Sequence, residues 1–140
     1  MRMAIDDNHV VDNLHAGGIA AAIDLDSGTL GPASNLGADS SFGWVDRHPG
    51  TNAPIRGMQL PMWDEVKDFA IRAHEAFADR VIVGWDIAIT PDGPLLVEGN
   101  GAPDLDIMQR FVRHGLMAAR LGVLLAFHVS QAGLDSLPFA

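Results

Sequence analysis

The chain contains no cysteine, and that absence removes a disulfide framework, a thiolate zinc site and a cysteine nucleophile together. Cations are scarce: 9 Lys and Arg against 18 Asp and Glu leave a net charge of −9, and Lys67 is the sole lysine. So acidic a balance excludes nucleic acid as a main partner, because binding a phosphate backbone takes a basic surface. Long apolar runs are missing as well. The richest stretch, Leu116 to Val129, is too short to cross a bilayer and carries Arg120, so no membrane span is expected. The opening residues lack the apolar core of a signal peptide, which points to a cytoplasmic location. What is present, 140 residues at 48% apolar, is enough for one domain with a buried core.

Periodicity then orders the chain. Ile19 to Ile23 is a small apolar run, Asp24-Leu25-Asp26-Ser27-Gly28 is turn chemistry, and Thr29-Leu30 resumes the run, so a hairpin is predicted. Leu36 to Gln59 is rich in Gly, Pro, Ser and Asn and reads as a long loop with one short strand. From Pro61 the period changes: Met62, Val66, Phe69, Ala73 and Phe77 form one stripe of an amphipathic helix, with Asp68 one turn before Arg72. Val81 to Ile89 and Leu95 to Glu98 flank Thr90-Pro91-Asp92-Gly93-Pro94, the strongest hairpin signal in the sequence. Asp104 to His128 places Leu105, Met108, Val112, Leu116, Ala119 and Val123 on one helical face and Arg110, Arg113 and Arg120 on another. Asp104 is placed to cap this helix, and Gly115 and Gly122 are its weak points. The order of strands, helix, hairpin and helix predicts an α+β domain over residues 1–140, with a mainly antiparallel sheet and two long helices.

The second hairpin carries the chemistry. A three-residue loop at Pro91, Asp92 and Gly93 sets Thr90 opposite Pro94, which brings Ala88 opposite Leu96, Asp86 opposite Glu98 and Gly84 opposite Asn100. Side chains alternate along a strand, so Asp86, Glu98 and Asn100 share one face. Two carboxylates opposed across a strand pair repel, and a bound cation relieves them. The donors are all oxygens, which favours Mg²⁺ over zinc and leaves coordination positions for phosphates. A polar, water-facing side of an edge hairpin reads equally well from the spacing alone.

The run from Gly84 through Asn100 resembles the metal-binding hairpin of ATP-grasp enzymes. Together with Asp12-Asn13-Leu14-His15-Ala16-Gly17-Gly18-Ile19, His48-Pro49 and Leu60-Pro61-Met62-Trp63-Asp64, it resembles the sugar-transfer-associated ATP-grasp family in particular. That resemblance implies the C-terminal lobe of an ATP-grasp fold. It implies Asp86 as ligand of one Mg²⁺, Glu98 as the carboxylate bridging two Mg²⁺, and Asn100 as ligand of the second. It further implies ATP as cofactor, a small carboxylate or amine as substrate, ligase chemistry through an acyl phosphate, and a link to polysaccharide biosynthesis. Asn13 with Gly17 and Gly18 resembles the family's loop near the triphosphate and acceptor: glycines let backbone N–H groups approach anionic oxygens, and the Asn amide donates a hydrogen bond.

The family's first lobe supplies lysines to the phosphates and a pocket for adenine. Lys67 matches neither, so the first lobe is expected to be absent from these 140 residues, which then read as a C-terminal lobe, a truncated gene product, or half of a split enzyme whose first lobe is separately encoded. The competing expectation is a non-catalytic remnant that binds a protein partner. Asp24 to Gly28 lacks the later ligands and terminal Glu of a calcium loop and is read as a turn. His15 and His48 sit in motif-bearing loops, and Arg2, Arg47 and Arg56 are further candidates for phosphate, with no spacing rule to select among them. Trp44, Trp63 and Trp85 read as packing residues.

Overall fold

The structure, a computed structural model, describes residues 1–5, 14, 17–35, 43–113, 115 and 120–133. Among them the elements are β1 (Arg2–Met3), β2 (Ile19–Ile23), β3 (Leu30–Ser34), α1 (Trp63–Glu75), β4 (Gly84–Thr90), β5 (Gly93–Asn100), α2 (Leu105–Val112) and α3 (Arg120–Gln131). The class is α+β, as expected, but the strands divide into an antiparallel sheet β1-β2-β3 and a separate antiparallel pair β4-β5.

Register explains the core. In the first sheet Arg2 pairs with Ala20 and Ala20 with Ser34, while Met3 pairs with Ile19 and Ala21 with Ala33. Cross-strand partners share a face and neighbours alternate, so two faces separate. One carries Ile19, Ala21 and Ala33, which join Leu30, Ile55 and Leu60 in the main core, with Trp63 and Ile89 packed against it. Complete burial of Ile19 alone contributes roughly 1.5–3 kcal/mol. The opposite face carries Arg2, Ala20 and Ser34. It is covered by Leu14, Phe111 and Ile107.

The β2–β3 turn and the start of α1 lock together. Asp24 Oδ1 accepts from the Ser27 backbone N–H at 2.8 Å and the Ser27 hydroxyl at 2.7 Å, so this carboxylate builds a turn, as its sequence indicated. Gly28, at φ 73°, lies under the Trp63 indole, whose Nε1 donates to the Leu25 carbonyl at 3.0 Å. The predicted stripe of α1 holds at its middle, where Val66 is buried and Phe69 and Ala73 are half-buried, but Met62 precedes the helix in the left-handed conformation and Phe77, beyond its end, is exposed while packing on Trp85 at 5.5 Å. Arg72 stacks over the Phe69 ring, and an ion pair along this helix joins Lys67 to Asp64 at 2.9 Å.

The last segment corrects the expectation of a single long helix. Asp104 caps α2 as predicted, accepting from the N–H groups of Asp106 and Ile107, but the helix ends at Val112 with Arg113 in the left-handed conformation at φ 61°. A new helix begins at Arg120, so there are three helices among the described residues, and Gly122 sits buried inside the third. The buried face also differs: Ile107 and Phe111 meet the sheet, whereas Met108, Val112 and Val123 are exposed. Ile107 and Phe111, one turn apart, match the small residues Ala20 and Ala22, which leave room for an aromatic ring.

Candidate functional site

The β4–β5 hairpin reverses over Pro91 and Asp92 alone. Thr90 pairs with Gly93 rather than Pro94, Ala88 with Leu95 rather than Leu96, and Ile87 with Leu96. Gly93 takes a positive φ of 116° as part of the strand, and the Thr90 hydroxyl donates to its carbonyl at 2.7 Å. Carried on, this register would oppose Asp86 to Val97 and send Glu98 to the far face. Instead the ladder slips between Asp86 and Ile87, leaving Val97 unpaired as a bulge. Asp86 then stands opposite Glu98, Trp85 opposite Gly99, and Gly84 opposite Asn100. The loop expected from the sequence was one residue too long, and the bulge restores the pairing it implied.

Asp86, Glu98 and Asn100 therefore lie on one face of the hairpin, and Pro103 packs so closely on Gly84, opposite Asn100, that a Cβ there would lie 2.9 Å from the proline Cβ. Asp86 is partly exposed, and Glu98 and Asn100 are exposed. Asn100 Oδ1 accepts from the Ala102 N–H at 3.0 Å, which turns the chain out of β5. An amide oxygen has a second lone pair, so this bond leaves one acceptor position open. Among the described residues no group of three His, Cys, Asp or Glu side chains is placed to hold a metal ion, and two carboxylates and an amide are what this face of the hairpin presents. Such an all-oxygen set fits a hard cation such as Mg²⁺.

One partner of the trio was not selected by sequence reasoning. Arg2 Nη2 donates to Asp86 Oδ2 at 2.8 Å, tying β1 of the first sheet to β4 of the second. Half of the compensation that two opposed carboxylates require thus comes from the chain itself. Both side chains are about 40% exposed, so the pair is worth about 0–1 kcal/mol in water. Arg2 pairs with Ala20, two residues past Gly18, so the contact also anchors the hairpin beside the start of β2. No local pattern could reveal a contact across 84 positions of sequence.

Gly17 has φ 97° with open space where a Cβ would be, so backbone conformation rather than crowding requires glycine there. Its N–H donates to the Leu14 carbonyl at 3.3 Å, and Gly18 is buried at the head of β2. Asn13 and His15 lie outside the described residues. His48 uses both ring nitrogens in holding backbone: Nε2 donates to the Ala4 carbonyl at 2.7 Å, and Nδ1 accepts from the Thr51 N–H at 3.1 Å. Arg47 Nε donates to the Asn52 carbonyl, and Arg56 lies 3.7 Å from Asp46. Trp44, read from the sequence as a packing residue, has two basic neighbours in the fold. Arg113 and Arg110 lie 5.1 and 6.0 Å from its ring centre, brought there by α2.

No helix among the described residues is long and apolar enough to cross a membrane. The family model described as sugar-transfer associated ATP-grasp matches residues 1–121. No curated protein and no solved structure matches the chain.

Proposed function

From the premise that the chain belongs to the sugar-transfer-associated ATP-grasp family, a family with ATP-dependent, ligase-like chemistry, we propose that it is the catalytic-metal half of a carboxylate–amine ligase serving polysaccharide assembly in the cytoplasm. The observation that carries this reading is the opposition of Asp86 and Glu98 with Asn100 on the same face, a cluster of hard oxygen donors on a bulged hairpin. When bound, two Mg²⁺ ions would neutralise charge on the β- and γ-phosphates of ATP while a substrate carboxylate attacks the γ-phosphorus with ADP as the leaving group, after which an amine displaces phosphate from the acyl phosphate to leave an amide. Asp86 and Glu98 would hold the first ion, and Glu98 and Asn100 the second. Asn13 and the Gly17–Gly18 turn would border the triphosphate and acceptor, where the left-handed Gly17 turns the chain into β2.

Two features support a second, lysine-bearing lobe as partner. Lys67 is engaged with Asp64 on α1, so the only lysine is not at the hairpin. On β5, Leu95 and Val97 are 57% and 65% exposed, an apolar edge that a covering lobe would bury.

Titration of the 140-residue chain with MnCl₂, followed by electron paramagnetic resonance, tests the reading. Asp86→Asn and Glu98→Gln should each weaken Mn²⁺ binding by about tenfold or more, because each removes one of the charges that attract the ion. Equal binding by wild type and both variants would overturn the metal site. It would favour a remnant that uses the open β5 face to bind protein.

A further inference from the structure

At the end of the first sheet away from the hairpin, two cations gather on one ring. The bridge between Ala33 and Val45 sets Trp44 alongside Ser34, and Ser34 stands opposite Ala20, as Ala20 stands opposite Arg2. These four positions form one row across the sheet, with Arg2 and Trp44 about 14 Å apart at three strand spacings. α2 lays Arg110 and Arg113 over the indole, while Phe111 meets the Trp44 ring edge-on at 6.0 Å and packs with Ala20. Among the described residues neither guanidinium lies within ion-pair distance of a carboxylate, whereas those of Arg2, Arg56 and Arg80 do. A guanidinium carries five N–H donors. In this pair one donor finds an acceptor among the described residues, Arg110 Nη2 on the Ser34 hydroxyl at 3.3 Å, and Arg110 Nε is buried with none. We propose that Arg110 and Arg113, held on the Trp44 indole, form a binding site for a phosphate monoester, separate from the hairpin.

The C-terminal end of α2 favours cations through its dipole, which accounts for a basic residue in the last turn and at the cap. It does not account for a guanidinium buried with an unmet donor, nor for two like charges drawn onto one ring, both of which raise the energy of the chain alone. A dianion relieves both. Near neutral pH a phosphate monoester carries a charge approaching −2 on three terminal oxygens, enough to accept a fork of donors from each arginine, whereas one guanidinium already satisfies a carboxylate. Contact with the indole limits the guanidiniums' freedom beforehand, so less is lost on binding. Trp44 is 39% exposed and Arg113 is exposed as well, so a ligand can reach the pair. The row between is filled by Ala20 and Phe111, which keeps this anion apart from ions held by Asp86 and Glu98. In a chain of net charge −9 most of the surface repels a dianion, and a pair of cations without acids offsets that repulsion locally.

Nuclear magnetic resonance of the 140-residue chain in metal-free, low-salt buffer tests the site, read at the indole N–H of Trp44, which Trp44→Phe identifies by its loss. Inorganic phosphate and glucose 1-phosphate should each shift that resonance saturably, and sodium acetate should bind about tenfold or more weakly. Arg113→Gln and Arg110→Met should each weaken binding of both phosphates by about tenfold or more, the loss expected for a hydrogen bond to a charged group. Arg110→Met should do so without loss of stability, which separates binding from folding. A resonance that does not saturate with either phosphate, or equal affinity in wild type and both variants, overturns the site and leaves the arginines as cations of a helix end. Equal affinity for acetate and phosphate overturns the dianion. Binding of inorganic phosphate without glucose 1-phosphate overturns the ester and restricts the site to the free ion. Should Arg110→Met not fold, Arg113→Gln decides alone, because Arg113 is exposed and its left-handed φ of 61° is no harder for glutamine to adopt.

Discussion

Asp86 stands opposite Glu98 because Val97 drops out of the ladder between that pair and the turn. A two-residue reversal at Pro91 and Asp92 sets one register, and the bulge converts it into another, so the face of Glu98 depends on a single surplus residue. Deletion of Val97 should regularise the hairpin while keeping Leu96 opposite Ile87 and Glu98 opposite Asp86. Thermal unfolding should then show a change within about 1 kcal/mol, with Mn²⁺ binding retained. Deletion of Gly99 should act in the opposite way. It would carry Asn100 opposite Trp85 and onto the other face, and would set a side chain where a Cβ meets the indole at 2.5 Å. Loss of Mn²⁺ affinity and of stability together is expected, and a Gly99 deletion that leaves both intact would contradict the register.

Gly28 and Gly57 both have positive φ, 73° and 82°, but only Gly28 is crowded. A Cβ at Gly28 would lie 2.5 Å from Trp63 Cγ, so Gly28→Ala pays for backbone strain and for displacing the indole that closes the β2–β3 turn onto α1. Urea unfolding should show a loss of about 2–4 kcal/mol for Gly28→Ala, from strain plus overpacking. Gly57→Ala, with open space at the Cβ, should lose only about 1 kcal/mol. Similar losses for the two would mean that Trp63 does not hold the turn.

Hydrogen bonds from the Ser27 backbone and hydroxyl hold the Asp24 carboxyl below its ordinary value of 3.8. The folded state therefore binds this proton less readily than the unfolded chain does, and the group stabilises the fold above that ordinary value. As pH falls below 3.8 and through the lowered folded value, the contribution disappears. Asp24→Asn should accordingly be less stable than wild type at neutral pH, and the difference should shrink in acid. A gap that stays constant from pH 6 to about pH 3 would show that the charge on Asp24 plays no part.

What the sequence displayed and what it hid divide along the range of the interactions. The two hairpins, the Asp104 cap and the Val66–Phe69–Ala73 stripe follow from neighbours within a few positions, and each stands in the structure. Asp86 and Glu98 were legible as opposed carboxylates because alternation in a hairpin is local, although the loop length and the bulge were both hidden. Arg2 at Asp86 was not legible, and neither was the burial of Ile107 and Phe111 in place of Met108 and Val112. Those arrangements are chosen by what lies across the fold: Ala20 and Ala22 make the groove that Phe111 fills, and no periodicity within α2 encodes it.

Arg110 presents an instructive cost. Its Nε is buried with no hydrogen-bond partner among the described residues, its Nη2 donates to the Ser34 hydroxyl at 3.3 Å, and its guanidinium lies over Trp44. An orphaned donor loses its hydration without repayment, so Arg110→Met, which keeps the length and removes the charge, should leave stability unchanged or raise it by about 1 kcal/mol. Phe111→Ala, one residue on, should cost about 3–5 kcal/mol by emptying the space against Leu14 and Ala20. A large loss from Arg110→Met would show that the guanidinium is better satisfied than its surroundings indicate.

The last expectation concerns turnover by the isolated 140-residue chain. Phosphoryl transfer requires the γ-phosphate to be held in line with its attacker while its charge is neutralised from several sides. On the reading proposed above, this chain offers one wall of that arrangement: a hairpin with two carboxylates and an amide, and one guanidinium that reaches it. The only lysine is paired on α1, and a net charge of −9 repels a free nucleotide at low salt. ATP-dependent phosphate release should therefore be undetectable from the chain alone with any carboxylate and amine. It should appear when a separately expressed, lysine-bearing first lobe is added, and vanish again with Asp86→Asn or Glu98→Gln in this half. Robust turnover by the purified chain, abolished by Glu98→Gln and so not due to a contaminant, would show that these 140 residues need no second lobe.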